Sequence, residues 1–279
     1  MVAYANLAGL ELGDKFPVRL MGAINVSLES FYRDSVAATE GALRSRAEQM
    51  AAEGADLIDV GAMSTAPYLT TTIPEAEEIR RLISAIRVLR QAVPLPLSVD
   101  TTRSRAALAA LEAGAAVIND VSGLRGDPAM AELVARHADG VILMASETVP
   151  GATDPVRTVL DLLRQSCATS DAAGIPKNRV VLDPGIGFFR RAALPWEVWD
   201  CELLRRLSEL RSLDRPVLIG LSRKSFIGKV LGRPDPSDRL AGSLAATVVA
   251  VLTGAHMIRT HDVGATRDAI RMAEALHPV

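Results

Sequence analysis

The chain has 279 residues, of which 49% are hydrophobic, and its 31 basic and 33 acidic side chains leave a formal net charge of −2. This composition supports a large core and excludes a disordered chain. The sequence has no long run of one charge sign, which argues against a nucleic-acid-binding arm and against a polybasic membrane patch. An anionic ligand would therefore have to be bound by a few individually placed arginine or lysine side chains.

The sequence favours a cytoplasmic protein. Its first 14 residues contain Glu11 and Asp14 and lack the basic and apolar regions of a secretory signal. The longest uncharged stretch, 240–255, is too short to span a membrane. Cys167 and Cys201 have no metal-ligand spacing, and we expect both to be free thiols in a reducing compartment.

Short apolar runs alternate with longer helical patterns along the chain. Most of the runs are continuously apolar and bounded by Gly, Pro, Asn or Asp, as expected for parallel strands buried on both faces. The eight predicted strands are 18–24, 56–61, 95–99, 115–120, 140–144, 179–182, 216–221 and 255–260. The predicted helices are 38–53, 75–91, 104–113, 128–137, 155–172, 195–213, 238–253 and 266–275.

Eight strand–helix units in about 250 residues predict a single-domain α/β fold, the (β/α)8 TIM barrel, with an active site at the C-terminal ends of the strands. The alternative is an open doubly wound sheet, which usually carries a glycine-rich phosphate loop after its first strand. Here the first predicted strand ends in Met-Gly-Ala-Ile-Asn at 21–25, which is not such a loop. We therefore expect residues 1–17 to form an N-terminal cover and residues 18–279 to form the barrel.

Polar residues end seven of the eight predicted strands. They are Asn25, Asp59, Asp100, Asn119 with Asp120, Asp183, Ser222 to Lys224, and Arg259 to Asp262. A single Asn or Asp at a strand end would be explained by a turn or a helix cap, but so many are not. The carboxylates and amides suit a heterocycle with several donors and acceptors. As cations, the side chains of Lys224, Arg259 and His261 suit the binding of an anionic group of the ligand.

Residue spacing gives no support to two other kinds of chemistry. No pair of histidines has metal-ligand spacing, and no Gly-x-Ser-x-Gly motif of an acyl hydrolase occurs. We interpret His137 and His277, which lie away from strand ends, as surface residues. Trp196 and Trp199 open a predicted helix, and we assign them to packing.

The polar strand ends lie within seven motifs that follow one another along nearly the whole chain. They are Met-Gly-Ala-Ile-Asn-Val-Ser-Leu-Glu-Ser-Phe at 21–31, Gly-Ala-Asp-Leu-Ile-Asp-Val-Gly at 54–61, Ser-Val-Asp-Thr at 98–101, Val-Ile-Asn-Asp-Val-Ser-Gly at 117–123, Leu-Asp-Pro-Gly-Ile-Gly-Phe at 182–188, Ser-Arg-Lys-Ser-Phe-Ile-Gly at 222–228 and Ile-Arg-Thr-His-Asp-Val at 258–263. In these motifs and their order the sequence resembles the dihydropteroate synthase family. The resemblance implies a (β/α)8 barrel, usually a homodimer. That enzyme condenses 6-hydroxymethyl-7,8-dihydropterin pyrophosphate with p-aminobenzoate and releases pyrophosphate in folate biosynthesis.

The resemblance also implies roles for individual residues, with Lys224, Asp100 and Asp183 as the catalytic group. The implied pterin pocket consists of Asp100, Asn119, Met144, Asp183, Phe188, Gly220 and Lys224. Asn25, Arg259 and His261 would hold the pyrophosphate, with Mg²⁺ near Asn25. Thr65, Pro67 and Ser225 would border the p-aminobenzoate site.

Two loops depart from the family pattern. The first loop usually has Pro and Asp where this chain has Leu28 and Glu29. The second loop usually has Glu, Arg and Gly where this chain has Met63, Ala66 and Tyr68. The residues of the pterin pocket match the family, whereas the loops that would close over the anion and the second substrate are altered.

The altered loops leave three functions open. The first is dihydropteroate synthase itself, and the second is a related protein that binds pterin but uses another arylamine or turns over little. The third is a pterin-dependent methyltransferase, which has no use for pyrophosphate-binding cations. Because Lys224, Arg259 and His261 are all present, the sequence favours the synthase over the methyltransferase.

Overall fold

The computed structural model describes residues 2–26, 39–63, 72–146 and 150–276, and its centre is a barrel of eight parallel strands. In chain order these strands are β3 (Arg19–Asn25), β4 (Leu57–Gly61), β5 (Leu97–Asp100), β6 (Val117–Asp120), β7 (Gly140–Met144), β8 (Val180–Asp183), β9 (Leu218–Gly220) and β10 (Met257–Thr260). Consecutive strands pair from β3 to β8, and β10 pairs with both β3 and β9. A parallel bridge between Leu182 and Val217 joins β8 to the β9 side and closes the barrel.

Helices surround the strands, and each barrel strand is followed by at least one of them. The α-helices are α1 (Glu40–Glu53), α2 (Glu75–Ala92), α3 (Ser104–Ala113), α4 (Met130–His137), α5 (Pro155–Ala172), α6 (Trp196–Arg205), α7 (Ser225–Leu231), α8 (Leu240–Leu252) and α9 (Val263–Leu276). Every residue of β4 to β7 is buried, because helices cover the outside of these strands and side chains fill the inside. The (β/α)8 prediction is therefore confirmed.

The N-terminal segment forms a hairpin that the sequence patterns did not reveal. Strands β1 (Tyr4–Leu7) and β2 (Leu10–Gly13) pair antiparallel. The hairpin packs on the N-terminal end of the barrel, where its buried residues share one apolar cluster with residues of the barrel strands. That cluster contains Ala5, Leu7, Leu12, Met21, Leu57, Val117, Ile142, Val181, Leu218 and Met257. The barrel interior is thus closed at this end by hydrophobic side chains.

Polar contacts hold the end of the hairpin segment against the barrel. Oδ1 of Asp14 lies 3.2 Å from Nε2 of His256, and Arg211 donates to the same oxygen at 2.8 Å. Nδ1 of His256 accepts from the backbone N–H of Val217 at 3.0 Å. Burial lowers the pKa of His256, and this effect outweighs the neighbouring Asp14 carboxylate, which acts in the opposite direction.

The helices after β8 and β9 differ from the predicted ones. The pattern at 195–213 gives α6 and then a 3-10 helix, Leu207–Leu213, with a break at Arg206 (φ −108°, ψ 20°). Helix α7 was not predicted, because it has only seven residues and ends at Gly232, whose φ of 65° is left-handed. Helix α8 begins at Leu240 after a 3-10 turn, Pro236–Arg239.

A substitution at the closed, N-terminal end of the barrel can test stability without changing any residue at the C-terminal end. Leu7 is fully buried, and a Cβ on Gly140 would lie 2.4 Å from its Cδ2 atom, so this contact is tight. We expect Leu7→Ala to lower the free energy of unfolding by about 2–5 kcal/mol through lost burial and an added cavity. Urea unfolding measures the change, with exposed Val2→Ala as the control. A Leu7→Ala protein as stable as the control would contradict the conclusion that the hairpin stabilises the barrel by closing its N-terminal end.

Candidate active site

Strand register brings the predicted residues together at the C-terminal end of the barrel. Asn25 pairs with Gly61, Gly61 pairs with Asp100, and Asp100 pairs with Asn119, so these positions lie at one level on β3 to β6. On the other side of the barrel Met144 pairs with Asp183, and Gly220 pairs with Arg259. A Cβ on Gly61 would lie 3.3 Å from Oδ1 of Asn25, so the Asn25 side chain on β3 lies close to the end of β4.

A buried ion pair forms the floor of this site. Oδ2 of Asp59 accepts from Nε of Arg259 at 2.7 Å and from Nδ2 of Asn119 at 3.1 Å. Nη2 of Arg259 also lies 3.6 Å from Oδ2 of Asp100. The guanidinium therefore bridges two carboxylates that belong to neighbouring strands.

The two carboxylates on the floor each have one oxygen without a protein partner. Oδ1 of Asp59 and Oδ1 of Asp100 are buried and accept no hydrogen bond within the described part of the chain. Buried polar atoms are nearly always hydrogen-bonded in proteins, so an unpartnered pair at the C-terminal end of the barrel suits a ligand that brings N–H groups. Burial raises the pKa of Asp100 to about 7, the charge of Asp59 adds to this rise, and Arg259 opposes it.

Lys224 occupies the opposite side of the site. Its Nζ donates to the carbonyl oxygen of Ile186 and lies 4.7 Å from the centre of the Phe188 ring. Burial lowers the pKa of Lys224 to about 8, while the carboxylates of Asp183 and Asp200 act in the opposite direction. Burial also raises the pKa of Asp183, whose charged form is supported by Lys224. The ammonium and these carboxylates thus stabilise one another.

The loop after β8 is shaped by two glycines that allow this arrangement. Gly185 has φ 74°, and a Cβ there would lie 2.0 Å from the carbonyl oxygen of Ala145. Its N–H donates to Oδ1 of Asp183 at 2.8 Å, which fixes that carboxylate. Gly187 has φ 84°, and a Cβ there would lie 3.1 Å from Cδ of Lys224. The Asp-Pro-Gly-Ile-Gly run is therefore a steric requirement for placing Lys224.

His261 differs from its predicted role as a cation. Its ring is buried, and Nδ1 lies 3.0 Å from Oγ of Ser222. Burial lowers the pKa of His261 to about 3, and the nearby charge of Arg259 lowers it further. The imidazole is consequently neutral at physiological pH in the free protein, and it can act there as a hydrogen-bonding group. The correction follows from burial beside another cation, which the sequence alone does not reveal.

Arg223, the middle residue of the Ser-Arg-Lys run, stabilises the loop after β9. It donates from Nη2 to Oδ1 and from Nε to Oδ2 of Asp262, at 2.8 and 2.9 Å. Its Nη1 donates to the carbonyl oxygens of Pro236 and Ser237. Arg223 thereby ties the start of α7 to the loops before α8 and α9.

The remaining predicted residues fall into two groups. Met144 is buried and Phe188 is partly exposed beside Lys224, and their role as apolar walls of the pocket stays a prediction. Ser225 begins α7, and its Oγ accepts from Nη2 of Arg190 at 2.5 Å. Thr65 and Pro67 lie outside the described residues, so their predicted contact with p-aminobenzoate stays a prediction.

Sequence reasoning assigned no role to three residues that border this site. Asp59 was noted as polar but not placed in the pocket. Asp200 accepts from the N–H of Gly187 at 2.8 Å, and burial raises its pKa to about 6. A signal existed for Asp200, because this acid lies on the apolar face of α6 beside Trp199 and Leu203. Arg190 carried no such signal, since its position depends on the conformation of the loop.

The barrel and this polar ring together define a class of enzyme. Residues 21–261 match the family of pterin-binding enzymes, and the chain belongs to that family. Its relatives include the dihydropteroate synthases of Synechocystis and of Escherichia coli. The first is 37% identical over 92% of this chain and 89% of the relative, and the second is 35% identical over 92% and 90%.

Solved structures give the same picture. Dihydropteroate synthase of Xanthomonas albilineans with 4-aminobenzoic acid is 39% identical, with a TM-score of 0.88 and complete coverage (100%) of both chains. The complex of the same enzyme with 7,8-dihydropteroate is 37% identical, with a TM-score of 0.85 and 99% coverage of each chain. A dihydropteroate synthase of Coxiella burnetii with pteroic acid is 36% identical, with a TM-score of 0.87 and 99% coverage of each chain.

The raised pKa of Asp100 predicts a trade-off between stability and binding. A carboxyl whose pKa is higher in the folded protein than in the unfolded chain makes the fold less stable as pH rises from about 4 towards 7. Asp100→Asn removes that loss. We therefore expect the unfolding free energy of the variant, relative to wild type, to increase by an amount on the order of 1–3 kcal/mol between pH 5 and pH 8. It should also bind pterin more weakly, because a charged acceptor is lost.

Denaturation at pH 5 and at pH 8 measures the change in stability, and calorimetry with a pterin ligand measures the change in binding. Asp161→Asn is the control, because Asp161 is exposed on α5 and should change neither stability with pH nor binding. An Asp100→Asn protein whose stability relative to wild type is the same at pH 5 and pH 8 would refute the assignment of a raised pKa.

Proposed function

We propose that this enzyme condenses 6-hydroxymethyl-7,8-dihydropterin pyrophosphate with p-aminobenzoate, the reaction of dihydropteroate synthase in folate biosynthesis. The observation that carries the proposal is the ring of Asp100, Asn119, Asp183 and Lys224, in which a buried carboxylate oxygen has no partner among the described residues. The ring is complete on a barrel whose relatives are named dihydropteroate synthases, and neighbouring structures hold 4-aminobenzoic acid and 7,8-dihydropteroate.

The polar ring matches the chemistry of a pterin. Carboxylates of Asp100 and Asp183 accept hydrogen bonds from ring N–H groups, and the ammonium of Lys224 donates to ring acceptors. One N–H of the Asn119 Nδ2 group donates to Asp59, which leaves its second N–H and its amide oxygen for the ring. A flat heterocycle would stand between the apolar side chains of Met144 and Phe188.

The chemical step replaces a C–O bond by a C–N bond. The bond between the methylene carbon and the pyrophosphate oxygen breaks first and leaves positive charge on the pterin, the amine nitrogen of the second substrate then bonds to that carbon, and the amine proton passes to solvent water. Positive charge that develops on the pterin favours the ionised forms of Asp100 and Asp183, whose burial makes ionisation costly beforehand. These carboxylates therefore stabilise the transition state more than the bound substrate. Arg259 and His261 would bind the leaving pyrophosphate.

The residues near Asn25 fit Mg²⁺ only if the pyrophosphate supplies most of the metal ligands. Within the ranges that the structure describes, no group of three or more His, Cys, Asp or Glu could hold a metal alone. Mg²⁺ is commonly bound through one or two protein oxygens together with substrate phosphates, and Asn25 offers one such oxygen. When bound, the ion would neutralise charge on the leaving group.

We also propose that the enzyme is a homodimer in the cytoplasm. Val230 and Leu231 on α7 and Val249 and Leu252 on α8 are large apolar side chains exposed to solvent, and an apolar surface of this kind suits a subunit interface. Both cysteines are free thiols, which suits a reducing compartment. In the described part of the chain, no helix combines the length and the apolar character needed to span a membrane.

Two related functions differ from this proposal. One uses a different amine substrate, and the other binds pterin without turnover. Met63, Ala66 and Tyr68 replace the family's usual Glu, Arg and Gly, which motivates a variant that uses another arylamine. A protein that binds pterin without turnover is the second alternative. The methyltransferase is disfavoured because Arg259 stands in the floor of the site, where it could meet a pyrophosphate.

Turnover with defined substrates tests the proposal. We expect purified protein with Mg²⁺, the pterin pyrophosphate and p-aminobenzoate to release pyrophosphate and form dihydropteroate in equal amounts. Lys224→Gln should lower kcat/KM by about 10²-fold or more, because a ring donor and a buried charge are lost. The control Lys229→Gln changes an exposed lysine on α7 and should leave the rate unchanged.

The same assay identifies the alternatives. Tight pterin binding without either product would contradict the proposal and support a binding protein. Pyrophosphate release with another arylamine, and none with p-aminobenzoate, would support the variant substrate.

A further inference from the structure

We propose that Asp200 is a positioning residue for Lys224 and acts on it through the peptide group that joins Ile186 to Gly187. Asp200 lies on helix α6, outside the strands that carry the polar ring, and it would not touch either substrate. The inference rests on the proposed function, in which Lys224 donates to the pterin ring. It adds the residue that holds this lysine where it can donate.

One planar peptide group connects Asp200 with Lys224. Its N–H, on Gly187, donates to Oδ1 of Asp200 at 2.8 Å, and its carbonyl oxygen, on Ile186, accepts from Nζ of Lys224. The atoms of a peptide group lie in one plane, and in a trans peptide the N–H and the carbonyl point to opposite sides. A rotation of this peptide would break both contacts together. The carboxylate that fixes the N–H therefore also fixes the acceptor of Lys224.

The contact with Ile186 leaves Lys224 able to bind a ligand. An ammonium group has three N–H donors, and the carbonyl oxygen of Ile186 takes one of them. A Cβ on Gly187 would lie 3.1 Å from Cδ of Lys224, so the side-chain stem also packs closely on this turn. The conformation of the turn thus determines where the remaining N–H groups of Lys224 point.

Two carboxylates hold the turn after β8 from two elements. Asp183 on β8 accepts from the N–H of Gly185 at 2.8 Å, and Asp200 on α6 accepts from the N–H of Gly187. Both glycines have left-handed φ angles, 74° and 84°, and a glycine has more alternative backbone conformations than any other residue. Without Asp200 the second half of the turn would keep this freedom and lose its restraint.

The carboxylate of Asp200 is itself held in a fixed place. Asp200 is completely buried, and the ring of the preceding residue, Trp199, stacks on Phe189 with 4.8 Å between the ring centres. Phe189 belongs to the loop after β8, so this aromatic pair packs α6 against the same loop that carries the turn. The helix therefore presents the carboxylate to the turn as a rigid support.

A carboxylate is a costly group to bury at this position. Oδ2 of Asp200 is buried and accepts no hydrogen bond within the described ranges, and burial raises the pKa of Asp200 to about 6. An apolar residue would fill the same space without this cost. Departures of this kind from the rules of stable packing are expected at functional sites, which supports a role of Asp200 beyond the stability of α6.

The charge of Asp200 also favours the ammonium form of Lys224. Burial lowers the pKa of Lys224 to about 8, and the charges of Arg259 and Arg190 lower it further. The carboxylates of Asp183 and Asp200 act in the opposite direction. Asp200 therefore acts on Lys224 in two ways, because its hydrogen bond to the peptide sets the position of the lysine and its charge supports the lysine's proton.

Two substitutions separate these effects. The amide oxygen of Asp200→Asn can still accept from Gly187 but carries no charge, whereas Asp200→Ala removes both functions. The probe is 6-hydroxymethyl-7,8-dihydropterin, and calorimetry at pH 7 gives its dissociation constant separately from the fraction of protein that binds. We expect Asp200→Ala to weaken binding by about 10-fold or more, as for the loss of one charge-assisted hydrogen bond from Lys224. Asp200→Asn should bind nearly as well as the wild type at this pH.

The pH dependence of binding tests the charge. Deprotonation of Lys224 should weaken pterin binding at alkaline pH, and in Asp200→Asn the midpoint of this loss should lie lower by on the order of half a pH unit. Titration of the pterin itself is the same for every variant and does not contribute to the difference. Glu202→Gln is the control and should match the wild type, because it removes a carboxylate from the surface of the same helix, where Glu202 pairs with Arg205.

Three results would overturn the role of Asp200. A purely structural role would lower the fraction of Asp200→Ala that binds and leave its dissociation constant unchanged. Binding at pH 7 that is as weak in Asp200→Asn as in Asp200→Ala would show that the retained hydrogen bond does not position Lys224. The same alkaline midpoint in Asp200→Asn and in the wild type would overturn the inference even if Asp200→Ala does not fold.

These binding measurements do not depend on turnover, so they separate the inference from the proposed reaction. Equal pterin affinity and equal midpoints in all variants would overturn the role of Asp200 and leave the reaction standing. Absence of dihydropteroate formation by the wild type, with the expected differences in binding present, would overturn the reaction alone.

Discussion

The salt bridge between Asp59 and Arg259 is the interaction on which the site depends. Asp59 is fully buried on β4, Arg259 comes from β10, and the same carboxylate oxygen also holds Asn119 on β6. Breaking one partner of a buried ion pair leaves an uncompensated charge in a medium of low polarity. The pair therefore fixes the relative positions of strands and orients the amide of Asn119 and the guanidinium of Arg259 at the C-terminal end of the barrel.

Such charges can be kept in the barrel because its other end is closed. The hairpin of β1 and β2 fills the N-terminal opening with Leu7 and Leu12, so within the described ranges this end of the barrel interior is apolar. Burial then moves both Asp100 and Lys224 towards their neutral forms, with pKa values of about 7 and about 8. A substrate that brings N–H donors and develops positive charge recovers the interactions that this free site lacks.

The sequence predicted the barrel and most of the ring for a simple physical reason. Parallel strands all end at one edge, so polar residues at strand ends such as Asn25, Asp100 and Asp183 had to lie near each other. The hairpin escaped prediction because its strands have four residues each and meet at a two-residue turn with Gly9. The neutral state of His261 also escaped, since it follows from burial among charges rather than from residue type.

Residues that reach the site from loops were harder to predict than those on strands. A strand residue is placed by the register of its neighbours, but Arg190 is placed by two left-handed glycines and by contacts with Ser225 and Trp196. Nothing in the local pattern at 188–191 indicates where that guanidinium points. Charges in loops therefore have to be located in three dimensions before a role can be assigned.

The two substrates would accordingly be recognised by elements of different rigidity. The pterin would meet side chains on hydrogen-bonded strands, where Asp100, Asn119 and Asp183 cannot shift without disturbing the barrel. The arylamine would meet residues on connecting loops, which accept substitution without loss of the core. Among the proposed pterin residues, Asp100, Asn119 and Asp183 lie on strands that also carry the fold, whereas Phe188 and Lys224 reach the site from the loops after β8 and β9.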